Sequence, residues 1–281
     1  MDLLRNIDLA NKNNISTCVI VDSSANFQYI VERFSFKLIH LPFEVQSAAQ
    51  QRNRGLEELE TIGISDDSIV CFLDDDVRIQ ENYFEKILSR FNCDANLVGL
   101  SGITEEYHLK KNWLRRLFFA SGDSGTVTKG IINIPAADVS TKGPTVSEWL
   151  IGCANWRWHV IRNLRFEGDF LESSIFEDVI FSYRAGQSGT LKVDPSILLS
   201  HLHSEVGRAS TEKNYKDWVM NRYRLMELFP NKFDLINFQW TNFGILISKL
   251  LSLLYRRDKR NFDAASGILA GMRKTWKKPS L

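Results

Sequence analysis

The sequence lacks the features that mark several classes of protein. Its four cysteines lie far apart and form no CxxC pair, which argues against a disulfide framework and against a zinc site. It has no run of about 18 uncharged apolar residues, so no membrane-spanning helix is expected. Residues 1–14 hold no apolar segment of the kind that a secretory signal peptide needs. We therefore expect reduced core thiols and a cytoplasmic location.

A large excess of one charge is also missing. The 35 basic and 34 acidic side chains nearly cancel, which leaves a net charge of +1. No field over the whole molecule would attract nucleic acid, and we expect no nucleic-acid partner. The sequence contains neither GxGxxG nor GxxxxGK[ST], so neither dinucleotide binding nor a P-loop is indicated.

Short apolar runs alternate with segments of helical composition in the first hundred residues. The predicted strands are 18–21, 36–41, 69–73 and 96–102, and the predicted helices are 46–60 and 79–91. This alternation predicts an α/β fold with a mostly parallel, Rossmann-like sheet that is flanked by helices.

The rest of the chain predicts a different organisation. Residues 103–148 mix charges with Gly, Ser and Pro, which favours a long, partly mobile excursion of the kind that forms a lid or a partner-binding loop. Further predictions are a helix at 175–189, a strand pair at 189–204, and amphipathic helices at 211–229 and 241–255. We expect a catalytic domain at 1–210, with a nucleotide-binding half at 1–102 and an acceptor half at 103–210, and a helical extension at 211–281.

Three adjacent carboxylates, Asp74, Asp75 and Asp76, follow the predicted strand 69–73, and Asp22 follows the strand 18–21. Like charges this close destabilise one another unless a positive charge lies among them. In an open α/β sheet, ligands bind outside the carboxyl ends of the strands. A set of oxygen ligands in that place suits Mg²⁺ or Mn²⁺ with a substrate's phosphates. The alternative interpretation is a solvated loop tip.

The order of the motifs resembles that of a known family. The segments CVIVDSS, QRNRG, FLDDDV, WLIGC, FEDVIFSYRAGQSG and HLH follow one another between about residues 3 and 205. This series is similar to family 2 glycosyltransferases, which are inverting enzymes of the GT-A fold with a DXD motif. The resemblance implies a metal-dependent transfer of sugar from a nucleotide-diphosphate sugar to a glycan or a lipid-linked glycan.

The resemblance also implies roles for individual residues. The implied nucleotide-sugar-binding residues are Asp22, Arg52, Asn53, Asp74 and Asp75. The implied catalytic base is Asp178, and the implied ligands of Mg²⁺ or Mn²⁺ are Asp76, His201 and His203. The residues expected near the acceptor or the donor sugar are Trp149, Gly152, Glu177 and Arg184. We expect Asp22, Asp74, Asp76 and His201 to line one crevice, with Asp178 across it.

Each of these residues also has a structural interpretation. Asp178 suits the first turn of a helix, where the helix dipole favours an acid. Arg52 suits a solvated helix face, His201 suits a core position, and Trp149 suits packing. The order of the motifs, and no single residue, favours the functional interpretation.

The two ends of the sequence raise further expectations. The family normally begins with an apolar strand, whereas residues 1–14 resemble the helix that follows that strand. A non-catalytic nucleotide-sugar-binding scaffold, or a truncated inactive enzyme, is therefore the alternative function.

At the other end, the apolar segment 243–255 precedes the basic segment 256–278. Such a pair is typical of a helix that lies on an anionic membrane surface, and equally of a helix packed on the domain with its charges in water.

Overall fold

The computed structural model describes residues 2–24, 28–30, 32–104, 113–167, 175–201, 210–256 and 258–276. The strands are β1 (Thr17–Asp22), β2 (Lys37–Pro42), β3 (Ile69–Cys71), β4 (Val77–Ile79), β5 (Leu97–Thr104), β6 (Thr145–Ser147), β7 (Ala154–Arg157) and β8 (Thr190–His201). The helices are α1 (Asp2–Ala10), α2 (Ala48–Thr61), α3 (Tyr83–Cys93), α4 (Trp113–Leu117), α5 (Trp158–Ile161), α6 (Glu177–Ala185), α7 (Thr211–Leu228), α8 (Leu235–Arg256) and α9 (Lys259–Trp276).

Contacts divide the chain into two units. Unit 1 comprises Met1–Leu109, Ala136–Gly168 and Asp178–Ser204, and unit 2 comprises Lys110–Pro135, Asp169–Glu177 and Glu205–Leu281. The domain boundary expected at 210 stays a prediction. The sequence did not predict that residues 110–135 would join the C-terminal helices.

Unit 1 holds two sheets. β1 and β2 form a parallel pair. The second sheet has the order β3-β7-β5-β8-β4, and β6 also pairs with β8. Among the described strands of this sheet, β5 and β8 are parallel and the other pairs are antiparallel. The predicted α/β fold with helices around a central sheet is confirmed, but the sheet is mixed, not mostly parallel.

The sheet has both parallel and antiparallel pairs because it contains short strands that the hydrophobic periodicity of the sequence does not reveal. The main-chain N–H of Val77 donates to the carbonyl of Asp74 at 3.3 Å, and this turn sends β4 back along β8. The helix predicted at 79–91 therefore begins at Tyr83. The strand pair predicted at 189–204 is one strand, β8, with an irregular register against β5.

The core of unit 1 lies on both faces of β5. Val98 and Ile103 belong to one buried cluster, whereas Leu97 and Leu100 belong to another. The ring of Trp156 packs where a side chain at Gly99 would stand, since a methyl group there would lie 2.5 Å from the ring. β5 is covered on both faces and is accordingly apolar over most of its length.

Part of the predicted excursion is well packed. Ile131 is fully buried, and Ala136 and Ala137 belong to the core. Thr128 accepts a hydrogen bond from the N–H of Ile132 at 3.1 Å and donates to the carbonyl of Phe119 at 2.6 Å. Residues 127–138 are therefore mostly buried.

Unit 2 contains helices α4, α7, α8 and α9. α7 and α8 confirm the helices predicted at 211–229 and 241–255, whereas α9 occupies a segment for which the sequence predicted only basic charge. Within the described ranges, no helix is both long and apolar enough to cross a membrane.

Candidate nucleotide-sugar site

A cleft opens at the carboxyl ends of β1 and β2. The two strands are parallel, with Asp22 opposite Pro42, so both end at the same edge. The cleft has a volume of about 740 Å³. Its lining residues are Asp22, Ser23, Ser24, Pro42, Phe43, Glu44, Val45 and Gln46. Asp22 thus lies where an α/β sheet places a ligand.

The carboxylate of Asp22 is held by polar neighbours. It accepts a hydrogen bond from the N–H of Ser24 at 2.8 Å, and Nε2 of His40 lies 3.1 Å from its other oxygen. Partial burial opposes ionisation, but the contacts with Ser24 and His40 outweigh it and lower the pKa of Asp22. Asp22 is therefore an ionised acceptor at neutral pH. His40 lies in an apolar strand and was not predicted as a site residue.

Asp74 has a cationic partner. Nη2 of Arg52 donates to one carboxylate oxygen at 2.8 Å, and the thiol of Cys153 donates to the other at 3.4 Å. Burial and the negative charge of Asp74 raise the pKa of Cys153, so this thiol stays protonated and can donate. Arg52 supplies part of the positive charge that the three carboxylates need.

Arg52 is held by its surroundings. Its side chain is 11% exposed, and its guanidinium lies 5.4 Å from the centre of the Phe166 ring. Gly152 leaves room for it, because a methyl group at position 152 would lie 2.6 Å from Nη2. The alternative of a fully solvated Arg52 does not fit this environment.

Helix α2 joins the ends of two strands through consecutive residues. Gln51 donates to the carbonyl of Val21 at 2.9 Å, next to Asp22, while Arg52 binds Asp74. α2 begins at an N-cap, Ser47, whose side chain accepts from the N–H of Gln50. No described strand pairs with both β1 and β3, and α2 makes this connection with side chains.

Asn53 contacts the protein's own main chain. Its amide oxygen accepts from the N–H of Phe166 at 2.7 Å, and its amide nitrogen donates to the carbonyl of Phe166 at 2.9 Å. Asn53 thereby fixes the ring on which Arg52 lies. A direct contact of Asn53 with a nucleotide stays a prediction.

Asp178 is the second residue of α6. Its carboxylate is half-buried and accepts from the N–H of Val179 at 2.8 Å. Its carbonyl accepts from the hydroxyl of Ser182 at 2.7 Å, and that hydroxyl accepts from the N–H of Leu150 at 2.9 Å. These bonds tie the start of α6 to the segment that carries Gly152, which lies against Arg52.

The expected metal ligands are only partly described. Val77, which follows Asp76, pairs in register with His201, so the two main chains lie side by side. The side chain of His201 and all of His203 lie outside the described residues. The described side chains form no group of three or more ligands, but Mg²⁺ commonly takes one or two carboxylates together with substrate phosphates. A carboxylate such as that of Asp76 is a ligand of the kind that Mg²⁺ and Mn²⁺ take, and a metal site here stays a prediction.

The remaining predicted residues fall into different environments. Asp75 is exposed, whereas Trp149 and Glu177 are buried. Arg184 forms an ion pair with Glu167. The pair of Glu148 and Tyr183, joined at 2.7 Å, lies beside Trp149 in the sequence and was not predicted. The sequence signal that could have identified this pair is the position of its two residues, since Glu148 precedes Trp149 and Tyr183 lies in the predicted helix 175–189.

The model of the family described as Glycosyl transferase family 2 matches residues 2–145, or 144 of the 281 residues. The chain belongs to glycosyltransferase family 2. Membership supports transfer of a glycosyl group from a nucleotide-sugar donor. A search of curated proteins found no match.

Solved structures also resemble this family 2 chain. One is the crystal structure of GalNAc-T7 with UDP, GalNAc and Mn²⁺, at 15% identity and a TM-score of 0.47, covering 74% of this chain and 41% of the other. Another is the crystal structure of S. aureus TarS 1–349, at 15% identity and a TM-score of 0.47, covering 97% of this chain and 86% of the other. The chain thus spans less than half the length of the GalNAc-T7 chain.

Proposed function

We propose that this glycosyltransferase moves a sugar, with inversion, from a nucleotide-diphosphate sugar to a hydroxyl of a glycan or a lipid-linked glycan. The observation that supports it most is the series of contacts from α2 to α6. Gln51 and Arg52 bind the ends of β1 and β3, and Gly152 and Leu150 continue to Asp178. Residues proposed for donor binding and for base catalysis thereby belong to one connected network.

The donor binds at the carboxyl ends of β1 and β3. Asp22 accepts hydrogen bonds from the base, in the cleft where β1 and β2 end. Asp74 faces the ribose side, Asp75 belongs to the same donor site, and Arg52 lies close enough to Asp74 to share its charge with a diphosphate. A guanidinium can bind carboxylate and phosphate oxygens at once because its donors form a planar fork.

Asp76, with His201 and His203, would hold Mg²⁺ or Mn²⁺. The bound ion would neutralise negative charge that develops on the leaving diphosphate. Asp74 stays paired with Arg52, so its role is separate from that of Asp76.

Asp178 acts as the general base. Its carboxylate takes the proton of the acceptor hydroxyl while that oxygen bonds to the anomeric carbon. The bond from the same carbon to the nucleoside diphosphate breaks on the opposite face, which inverts the configuration. The hydrogen bond from Val179 holds the carboxylate, and Trp149, Gly152, Glu177 and Arg184 are the proposed surroundings of the acceptor and the donor sugar.

Calorimetry with a panel of nucleotide diphosphates, with Mn²⁺ and with a chelator, tests the donor site. Asp76→Asn should weaken binding only when the metal is present, because the change removes a metal ligand and leaves Asp22 in place. An equal loss in chelator would show that Asp76 has a structural role. The absence of binding by the unaltered chain to every nucleotide would overturn the proposed donor site.

Transfer assays with Asp178→Asn test the base. The amide cannot take the proton, so transfer should fall by about 10²-fold or more while donor binding is kept. Transfer at the rate of the unaltered chain would show that the base lies elsewhere. Tight donor binding by the unaltered chain without transfer to any acceptor would favour the scaffold alternative.

We also infer a cytoplasmic location. Cys18, Cys71, Cys93 and Cys153 are all free thiols, which suits a reducing compartment. Burial raises the pKa of Cys18 to about 11 and that of Cys71 to about 12, so both are unreactive core thiols.

A further inference from the structure

Helix α8 presents an apolar stripe to solvent. Ile236, Trp240, Phe243, Leu250, Leu251 and Leu254 are all exposed, and we call these six residues the α8 stripe. At 3.6 residues per turn the six positions fall within an arc of about 100° around the helix, so they share one face. Ile236 is 83% exposed and Leu254 is 77% exposed, so both ends of the stripe stand open. With a rise of about 1.5 Å per residue, the stripe is about 27 Å long.

The inward face of α8 carries buried polar groups. Gln239 donates to the hydroxyl of Thr275 at 3.0 Å, Thr241 donates to the carbonyl of Phe118 at 2.7 Å, and Asn242 accepts from Arg222 at 2.7 Å. These three side chains are buried, together with Phe238 and Leu246. A surface helix in water usually has its polar residues outside. In α8 the outward face is the more apolar one, which points to an apolar environment outside unit 2.

The charges around the stripe favour an anionic surface. α8 contains no Asp or Glu over its 22 residues. Trp240 donates from its ring N–H to the carbonyl of Leu117 in α4 at 2.9 Å, and α4 also carries the exposed Arg115 and Arg116. Beyond the other end of α8, Lys259 and Arg260 are exposed in the first turn of α9.

The acidic residues at the ends of α8 have local partners. Asp234 accepts from the N–H of Asn237 at 2.8 Å, and Asp258 accepts from the N–H of Arg260 at 2.9 Å. Asp123 lies 3.5 Å from Arg116, and both are exposed. Exposed pairs of this kind contribute little, so Arg116 can exchange its partner for a lipid phosphate.

We propose that the α8 stripe lies in the interfacial region of an anionic phospholipid leaflet, with Arg115 and Arg116 at the level of the phosphates. An apolar helix face flanked by cations and containing Trp is the pattern of a helix that lies in the membrane plane. No described helix can cross a membrane, which agrees with a helix that lies on it. This proposal rests on unit 2 alone and does not depend on the sugar chemistry.

Sedimentation of the full chain with phospholipid vesicles tests the proposal that the α8 stripe binds an anionic membrane. Vesicles of phosphatidylcholine with phosphatidylglycerol should bind the protein, and pure phosphatidylcholine should bind it at least about tenfold more weakly, because the cations lose their partners. Salt at high concentration should weaken binding, since it screens the same charges. Absence of binding to the anionic vesicles, or equal binding to both kinds, would overturn the proposal.

Substitutions on α8 identify the surface. The double change Leu251→Gln and Leu254→Gln should reduce binding to anionic vesicles at least about tenfold, since it removes apolar area without changing charge. Ser248→Gln is the matched control, because Ser248 is exposed on α8 but lies outside the stripe. Circular dichroism of the variants verifies the fold, as the altered leucines are on the surface.

Two outcomes would contradict the assignment of the surface. Equal binding by the double variant and the unaltered chain would show that another part of the protein meets the lipid. A dimer in analytical ultracentrifugation that the double change dissociates, without vesicle binding by the unaltered chain, would show that the stripe is covered by a second copy.

Discussion

Each unit of this glycosyltransferase contains a guanidinium in apolar surroundings, and the two have different partners. Arg52 in unit 1 lies over the Phe166 ring and binds the carboxylate of Asp74. Arg222 in unit 2 lies 4.1 Å from the centre of the Trp218 ring and is fully buried. It donates to the main-chain carbonyls of Ile131 and Gly130 and to the side chain of Asn242.

The comparison shows that the partners of a buried guanidinium distinguish a structural role, as for Arg222, from the functional role proposed for Arg52. Burial lowers the pKa of Arg222 to about 9, so it is still charged at neutral pH and needs its carbonyl partners. Those partners belong to segments 110–135 and 205–281, which Arg222 holds together within unit 2. Arg52 keeps 11% of its side chain exposed at the carboxylate of Asp74, where the proposed diphosphate would meet it.

Removal of Arg222 should have the largest effect on stability. Arg222→Ala leaves two carbonyls and the amide of Asn242 without their donor, and it opens a cavity. We expect a loss of at least about 3 kcal/mol in the free energy of unfolding, measured by urea denaturation. Arg224→Ala, two residues away, is the control, because Arg224 pairs with Glu227 at 3.6 Å on a partly exposed face. A loss as small as that of the control would show that Arg222 is not a structural centre of unit 2.

Removal of Arg52 should affect binding more than stability. Arg52→Ala deprives both Asp74 and a diphosphate of their cation, so nucleotide-diphosphate affinity should fall about tenfold or more in calorimetry. Arg54→Ala serves as the control, since Arg54 lies on the same helix and pairs with Glu58 at 3.0 Å. If Arg52→Ala destabilised the fold as much as Arg222→Ala and left affinity unchanged, the two guanidiniums would have the same structural role.

Alanine substitutions at two glycines test the role of Arg52 further, with smaller expected effects. Gly152→Ala would place a methyl group 2.6 Å from Nη2 of Arg52, and this mobile side-chain end can move away from Asp74. We expect a severalfold loss of nucleotide affinity with a change in unfolding free energy below about 1 kcal/mol.

Gly55→Ala is the control for Gly152→Ala. A methyl group at position 55 in α2 would meet only a methyl of Val21, at 3.8 Å. It should stabilise the helix by about 0.5–1 kcal/mol and leave affinity unchanged. Equal affinity of the two variants would mean that the position of Arg52 does not matter for the ligand.

Much of the local structure and the candidate site follow from the sequence. The apolar runs before Asp22 and Asp74 form β1 and β3, whose side chains are for the most part half-buried, and α3 forms because Tyr83, Phe84, Ile87 and Phe91 share one face. The order of the motifs predicted the family, and the match over residues 2–145 confirms it.

The tertiary structure alone decided how these parts connect. The partnership of Arg52 with Asp74, the donor thiol of Cys153 and the hydrogen bonds of Asn53 to Phe166 join residues 22 to 113 positions apart. Short strands such as β4 exist only because β8 lies beside them, so their own residues give no periodic signal. The same holds for α8: its sequence showed an amphipathic helix, but only the packing of unit 2 decided that its polar side chains lie inside and its apolar stripe faces outward.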